Sequence, residues 1–469
     1  MGTQDETGAR IGLIGLGTMG AALASNIADK GFDIAVFNRT TEVTRDFASN
    51  AGPLADRITP TESLEALVNA LAKPRAIILM VPAGDAVDAQ IDALRPLLDA
   101  DDLIIDCGNA LFHDTDRRAS SGKWPFLGVG VSGGEEGARH GPSIMGGGDP
   151  DHWARVEDIM TAISAKHDAD PCAALMGPGG AGHFVKMVHN GIEYADMQMI
   201  AEVYGILRDG HGMGYDAIAD VFDAWNKGQL ESYLVEISGI VARARDVETG
   251  EPLLSVIVDA AGQKGTGRWT AIESQHRLAP VPAIEAAVVA RNLSSRRDER
   301  ARGEAIFGSA PQAFDGLDHG TLEQGLIAGK ILCYAQGFEM LSAATRDFGW
   351  DLPMSRIAQI WRQGCIIRSS MLDDMARVLD ASPGTNLMYT DHFSAILKQT
   401  HGALRQVVAQ ASLNGHPVPA LASGLAYFDA MRTGRGTADM IQGQRDHFGL
   451  HGFEHTNGKT GQHGPWAKN

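Results

Sequence analysis

Lys186, His189, Asn190 and Glu193 carry an amine, an imidazole, an amide and a carboxylate. Their spacing is i, i+3, i+4 and i+7, which on a helix stacks all four on one face. Each can exchange protons or hydrogen bonds with a small substrate. Such a row offers a base and an acid on one rigid element. Phe184, Met187, Val188 and Ile192 supply an apolar side to hold that helix down. A polar helix face is ordinarily just a solvated surface. The rest of the chain must therefore give this row its purpose.

The elements around it fall into two textures. Over residues 10–180, short apolar runs (10–15, 33–37, 76–81, 103–106 and 126–131) alternate with amphipathic stretches such as 20–30 and 85–98. That alternation predicts a parallel sheet covered by helices. From 181 to about 438 strand-like runs nearly vanish, and long periodic apolar segments predict helices. The fold class expected is therefore an α/β domain over 1–180, Rossmann-type by the resemblance given below, then a large all-α domain over 181–438. A short C-terminal tail over 439–469 completes the chain. Segments 182–195 and 328–341 look like faint copies, aligned on Lys186 and Lys330, but only the first carries the polar row. The tail is rich in Gly and His. Its Phe448, Phe453 and Trp466 are too apolar for a free end, so it is expected to dock on something.

Composition narrows the function. The 469 residues carry a formal net charge of −18, the wrong sign for a general nucleic-acid binder. Cys107, Cys172, Cys333 and Cys365 are widely spaced, without a zinc or disulfide pattern, so a reducing cytoplasm is expected. No metal site is expected. The polar start and the absence of a long apolar run predict neither a signal peptide nor a membrane span.

Gly15, Gly17 and Gly20 form GxGxxG between a strand-like run and a helix. In that setting the glycines allow a tight turn, close approach of a pyrophosphate and close helix–strand packing. The next strand ends in Asn38-Arg39-Thr40, where an NAD site typically carries Asp or Glu for the ribose 2′-hydroxyl. A planar cation and a hydroxyl suit a 2′-phosphate instead, so NADP is the expected cofactor.

Three further motifs suggest a substrate pocket. Asn109 ends a buried-type strand at the ligand edge of a parallel sheet. Ser132-Gly133-Gly134 follows the next strand and can expose backbone N–H groups. Gly262–Trp269 is a glycine-rich loop with Lys264, Thr266 and Arg268, and Arg291, Arg445 and His451 are further cations for a phosphate.

Taken in order along nearly the whole chain, IGLIGLGTMG, NRT, DCGN, GVSGGEEGAR, KMVHNGIEY, QKGTGRW and QRDHFGLH resemble the 6-phosphogluconate dehydrogenase family. The resemblance implies oxidative decarboxylation of 6-phosphogluconate to ribulose 5-phosphate. It assigns Lys186 as general base and Glu193 as proton donor to C1 of the enediol. It places the cofactor against Gly15, Gly17, Thr18, Met19, Gly20, Asn38, Arg39, Thr40, Val81 and Asn109. Asn109, Ser132, Gly133, Gly134, His189 and Asn190 would hold the sugar acid. Tyr194, Lys264, Thr266 and Arg291 would hold its phosphate, and Arg445 and His451 would reach in from the partner of a homodimer with shared sites. Cys107, Phe112 and Arg268 depart from the usual Gly, Tyr and Lys, and Gly17 from a frequent Ala. A shorter β-hydroxyacid dehydrogenase would lack the extended helical domain and the Lys264 loop. A catalytically silent NADP-binding protein should have lost Lys186 or Glu193.

Overall fold

In the computed structural model, which describes residues 8–121, 124–263 and 265–467, the apolar runs become an eight-stranded sheet. Strands β1 (Ile11–Ile14), β2 (Ile34–Phe37), β3 (Ile58–Thr61), β4 (Ala76–Leu79), β5 (Leu103–Asp106) and β6 (Phe126–Val131) lie in the order 3-2-1-4-5-6, all parallel. These strands are short and mostly β-branched or Leu, and nearly all are buried on both faces, as a helix-covered parallel sheet requires. Helix α1 (Thr18–Asp29) leaves from β1 and buries Leu23, Ala24, Ile27 and Ala28 against one side.

Two strands depart from the expected all-parallel sheet. β7 (Ile144–Gly148) pairs antiparallel with β6, and the edge strand Ala173–Gly177 runs parallel to β7. β7 and the edge strand lie outside the apolar runs because their sequences, IMGGG and AALMG, are poor in β-branched residues. The reason is packing. A Cβ on Gly146 would strike the Trp153 ring, and one on Gly147 would strike the backbone of Gly182. β3, with the sequence ITPT, contains a proline and sits at the other edge, where a missing N–H is tolerated.

The sheet ends at Gly177, and a 25-residue helix, Ala181–Gly205, begins at once. It packs on β6 and β7 at its start and on the helices Thr266–His276, Pro282–Ser294 and His319–Phe348 further along. It thus runs from the sheet into the centre of the helical region, and 19 of its residues are buried. Its faint copy lies within His319–Phe348, which packs directly against it. There Lys330, the counterpart of Lys186, is fully buried and donates to Asp196 Oδ2 at 2.6 Å. Breaking a buried pair strands one charge without a partner. Lys330→Met should therefore lower the unfolding free energy by about 3–5 kcal/mol, read as a lower urea midpoint. An unchanged midpoint would mean the pair contributes nothing.

The tail is more ordered than its composition suggested. Ala438–Gly449 is a helix, and residues 450–467 fold back upon it. No helix among the described residues is long and apolar enough to cross a membrane.

Candidate active site

The glycine turn lies between β1 and β4, where the strand order reverses and open α/β sheets take ligands. Gly15 has φ +102°, and a Cβ there would meet Met80 O. A Cβ on Gly20 would overlap Gly15 O, whereas Gly17 faces open space. The three positions therefore serve the turn, the helix–strand contact and the open approach. No side chain caps α1, so its first N–H groups are left for an anion. Asn38 braces the turn, because its Oδ1 accepts from Leu16 N at 3.1 Å. Arg39 and Thr40 stand exposed beside it, as does Thr18, while Met19 and Val81 are half-buried. Val81 packs near Gly15 and its carbonyl crowds Gly108, so the ends of β4 and β5 meet there. Asn109 follows Gly108 and is exposed at that edge.

The long helix reaches this edge through two slots in β6. Gly128 and Gly130 alternate on one face. A Cβ on Gly128 would lie 2.9 Å from His183 Nδ1, and one on Gly130 would strike Lys186 Cβ. His183 Nδ1 also lies 2.7 Å from Thr115 Oγ1. Lys186 is 6% exposed. Burial lowers its pKa from the usual lysine value, although the nearby Glu193 charge opposes this. Burial likewise raises the Glu193 pKa, against Lys186 and Arg291. Both groups are thus driven toward their neutral forms, a free amine and a carboxylic acid. Two helical turns, about 10 Å, separate their backbone positions.

Between them a chain of hydrogen bonds is already assembled. Ser132 Oγ lies 3.2 Å from His189 Nε2, His189 Nδ1 lies 3.0 Å from Asn190 Oδ1, and Asn190 Nδ2 donates to Thr266 Oγ1 at 2.8 Å. Burial, and then Lys186, push the His189 pKa well down, so the ring is neutral. A tautomer protonated on Nδ1 satisfies both contacts: Ser132 donates to Nε2, and Nδ1–H donates to Asn190. His189 Nδ1 also lies 3.8 Å from Glu193 Oε2.

Gly133 (φ +107°) turns the chain after β6 and sits against Gly364 O, and Gly134 is exposed beside it. At the other end of the row, Tyr194 is buried and packs on Gly267, where a Cβ would strike its ring. The Arg291 guanidinium lies 3.4 Å from that ring's centre, and Arg291 Nη1 donates to Gly262 O at 3.1 Å. Tyr194, Thr266 and Arg291 are therefore gathered around one glycine loop. Lys264 lies outside the described residues. Arg445 and His451 are exposed, and among the described residues the hydrogen bonds of 438–467 stay within the tail and the turn leading into it.

Several neighbours escaped sequence reasoning. Besides Gly128, Gly130 and His183, Thr270 holds the helix by donating to Met187 O at 2.7 Å. Trp361 meets the His189 ring edge-on, with centroids 5.6 Å apart. The buried Cys365 is close enough for Lys186 to favour its thiolate, yet burial pushes its pKa up to about 12. Only the G-V-G alternation of β6 was a readable signal, since small residues recurring on one strand face invite a close neighbour. Of the departures noted above, Phe112 is fully buried within 5.0 Å of Phe184, where a tyrosine hydroxyl would need a partner. Cys107 is buried with its pKa raised by that burial, and Arg268 is exposed.

A glycine turn at a sheet switch point, facing a buried lysine–carboxyl helix, is the layout of a nucleotide-dependent oxidoreductase. Residues 10–177 match the family model "NAD binding domain of 6-phosphogluconate dehydrogenase", and residues 182–466 match "6-phosphogluconate dehydrogenase, C-terminal domain". The chain belongs to the 6-phosphogluconate dehydrogenase family. It is 44% identical over 469 residues to the NADP(+)-dependent, decarboxylating enzyme of Bacillus subtilis, covering 98% of this chain and 99% of the relative. It is 42% identical over 466 residues to the NAD(+)-dependent, decarboxylating enzyme of the same organism, again with 98% and 99% coverage. Among solved structures, the 6-phosphogluconate dehydrogenase of Plasmodium falciparum, studied with NADP+ and with 6-phosphogluconate, superposes with a TM-score of 0.93. That match has 37% identity and covers 97% of this chain and all of the other.

Proposed function

We propose that this chain oxidatively decarboxylates 6-phospho-D-gluconate to D-ribulose 5-phosphate and carbon dioxide, with NADP as hydride acceptor. The observation that carries the reading is the pair of buried Lys186 and half-buried Glu193 on one helix face, each driven toward neutrality by its surroundings. Bound NADP supplies the site that takes the hydride from C3. Neutral Lys186 removes the C3 hydroxyl proton as that carbon is oxidised to a ketone. The C1–C2 bond then breaks. Its electrons form the C2–C3 double bond, and protonated Lys186 returns its proton to the C3 oxygen. Glu193, as the acid, protonates the former C2, which becomes C1 of the pentulose, while the enol hydroxyl at the former C3 gives its proton back to Lys186 and restores the ketone.

Ser132, His189 and Asn190 bear hydrogen-bonding groups fixed before substrate arrives, which limits the ordering cost of binding. Asn109, Gly133 and Gly134 flank them on the sheet side. Tyr194, Thr266, Arg291 and Lys264 form the phosphate end. Arg445 and His451 complete this end from the second subunit of a homodimer. Two features support dimerisation. The helical region exposes Ile240, Ile257, Val289, Leu293 and Phe307, and Arg445 and His451 stand exposed on a tail whose hydrogen bonds, among the described residues, stay within it and the turn leading into it. Four free, buried cysteines fit a reducing cytosol.

Purified protein should release carbon dioxide from 6-phosphogluconate with NADP. Oxidation without decarboxylation, or no turnover, rejects the reading. Relatives of both cofactor types are nearly equally similar, so the choice of NADP rests on Arg39 and the missing ribose carboxylate. Arg39→Ala should cut kcat/KM for NADP about tenfold, the effect of one charge-assisted hydrogen bond of roughly 1.5 kcal/mol. The value for NAD should hardly move. Equal losses with both cofactors would remove Arg39 from the 2′-phosphate.

A further inference from the structure

Among the described residues of a largely exposed tail, Asp446 and Gly452 are the buried ones. Asp446 Oδ1 accepts from Gly452 N at 2.8 Å and meets His463 Nδ1 at 2.7 Å. Its Oδ2 accepts from Gly464 N at 2.8 Å and Trp466 Nε1 at 2.9 Å. Residues 453–462 form the loop that makes this possible. Phe453 and Gln462 exchange both backbone hydrogen bonds, at 2.8 and 3.0 Å, and so return the chain to the helix. A carboxylate between four donors is a strong local tie, since charge-assisted hydrogen bonds exceed neutral ones.

The tie fixes both Arg445 and His451. Gly452, held by Asp446, directly follows His451, and the turn into it runs through Leu450 in the left-handed region at φ 48°. The His451 ring then lies over Gly449, where a Cβ would come within 2.7 Å of Nε2. On the other side, Gln442 donates to Gly452 O and accepts from Arg445 Nη1 at 3.1 Å. Arg445 and His451 are thus set relative to one another by contacts within the tail alone, before any partner is met.

We propose that Asp446, clamped by His463 and Trp466, is a positioning residue that presents Arg445 and His451 as a preformed unit to the neighbouring subunit's phosphate end. This rests on the reading that the tail completes the partner's site. Losing the clamp frees two side chains and a turn, which must then be ordered on binding. The cost appears in substrate affinity rather than in chemistry at C3.

The test measures KM for 6-phosphogluconate and kcat in full-length dimers of Asp446→Ala, Trp466→Phe and Arg445→Ala. Trp466→Phe removes one donor and keeps the ring, so it remains informative if Asp446→Ala folds poorly. Asp446→Ala should raise KM about tenfold with kcat within about threefold, and Trp466→Phe should raise it less. Mixing Asp446→Ala with Lys186→Met subunits should then yield heterodimers in which one site has an intact lysine and an intact tail, with wild-type KM. A raised KM in Arg445→Ala alone overturns the clamp and leaves the tail reading standing. No change in any of the three overturns the tail reading itself. No wild-type-like site on mixing places the defect within the mutated subunit and also overturns the proposal.

Discussion

Lys186→Met lowers kcat/KM by about a thousandfold, in the middle of the range for loss of a general acid–base group. The substitution keeps an unbranched stem in the slot at Gly130 and removes only the amine. On the proposed reading the proton transfers at the C3 oxygen are lost together, from its oxidation through the departure of carbon dioxide to the return of the ketone. NADP binding, set at the glycine turn, should stay near wild type. Stability supplies the control. A buried lysine whose folded pKa is lowered costs stability at any pH where the unfolded lysine is protonated. Methionine removes that cost. The variant should melt no lower than wild type at pH 7, with any gain fading as pH approaches about 10.4, the unfolded lysine value. Retained turnover in a folded Lys186→Met protein would take the base role away from Lys186.

Glu193→Gln slows steady-state turnover by about a hundredfold, the lower end of acid–base contributions. In the proposed mechanism Glu193 acts on the enediol, so the loss should fall after hydride transfer. A single-turnover experiment should therefore show a burst of NADPH close to wild type, followed by slow product formation. The pH profile gives a second readout. The proposed roles require a neutral amine and a protonated carboxyl at once, so kcat/KM of the wild type should be bell-shaped. Burial brings both titrations toward the working pH by lowering one and raising the other. Glutamine cannot ionise, so one limb of the bell should flatten. An unaltered bell, or a lost burst, would assign the carboxyl another role.

Much of this site was legible from local rules. The i, i+3, i+4, i+7 row needed only helical periodicity, and the GxGxxG turn needed only a strand before it and a helix after. β5 and β6 were readable as continuous apolar runs. Strands β7 and Ala173–Gly177 were not, because their glycines answer to Trp153 and the long helix rather than to strand propensity. The tail helix was hidden for a similar reason. Its stability comes from Asp446 and residues up to 20 positions away, and no apolar stripe announces it.

The sequence by itself determined which groups share a helix face, which turn has the glycine spacing that suits a pyrophosphate, and that Asn38-Arg39-Thr40 carries no carboxylate. These are consequences of spacing and side-chain chemistry within a few residues. Tertiary structure decided the rest. It brought Ser132 to His189 across 57 positions and Thr266 to Asn190 across 76. It also placed Lys186 behind Gly130 with almost no exposure. Burial depends on every element packed around a group, so the drive of the lysine and of its acid toward neutrality belongs to the fold rather than to their spacing.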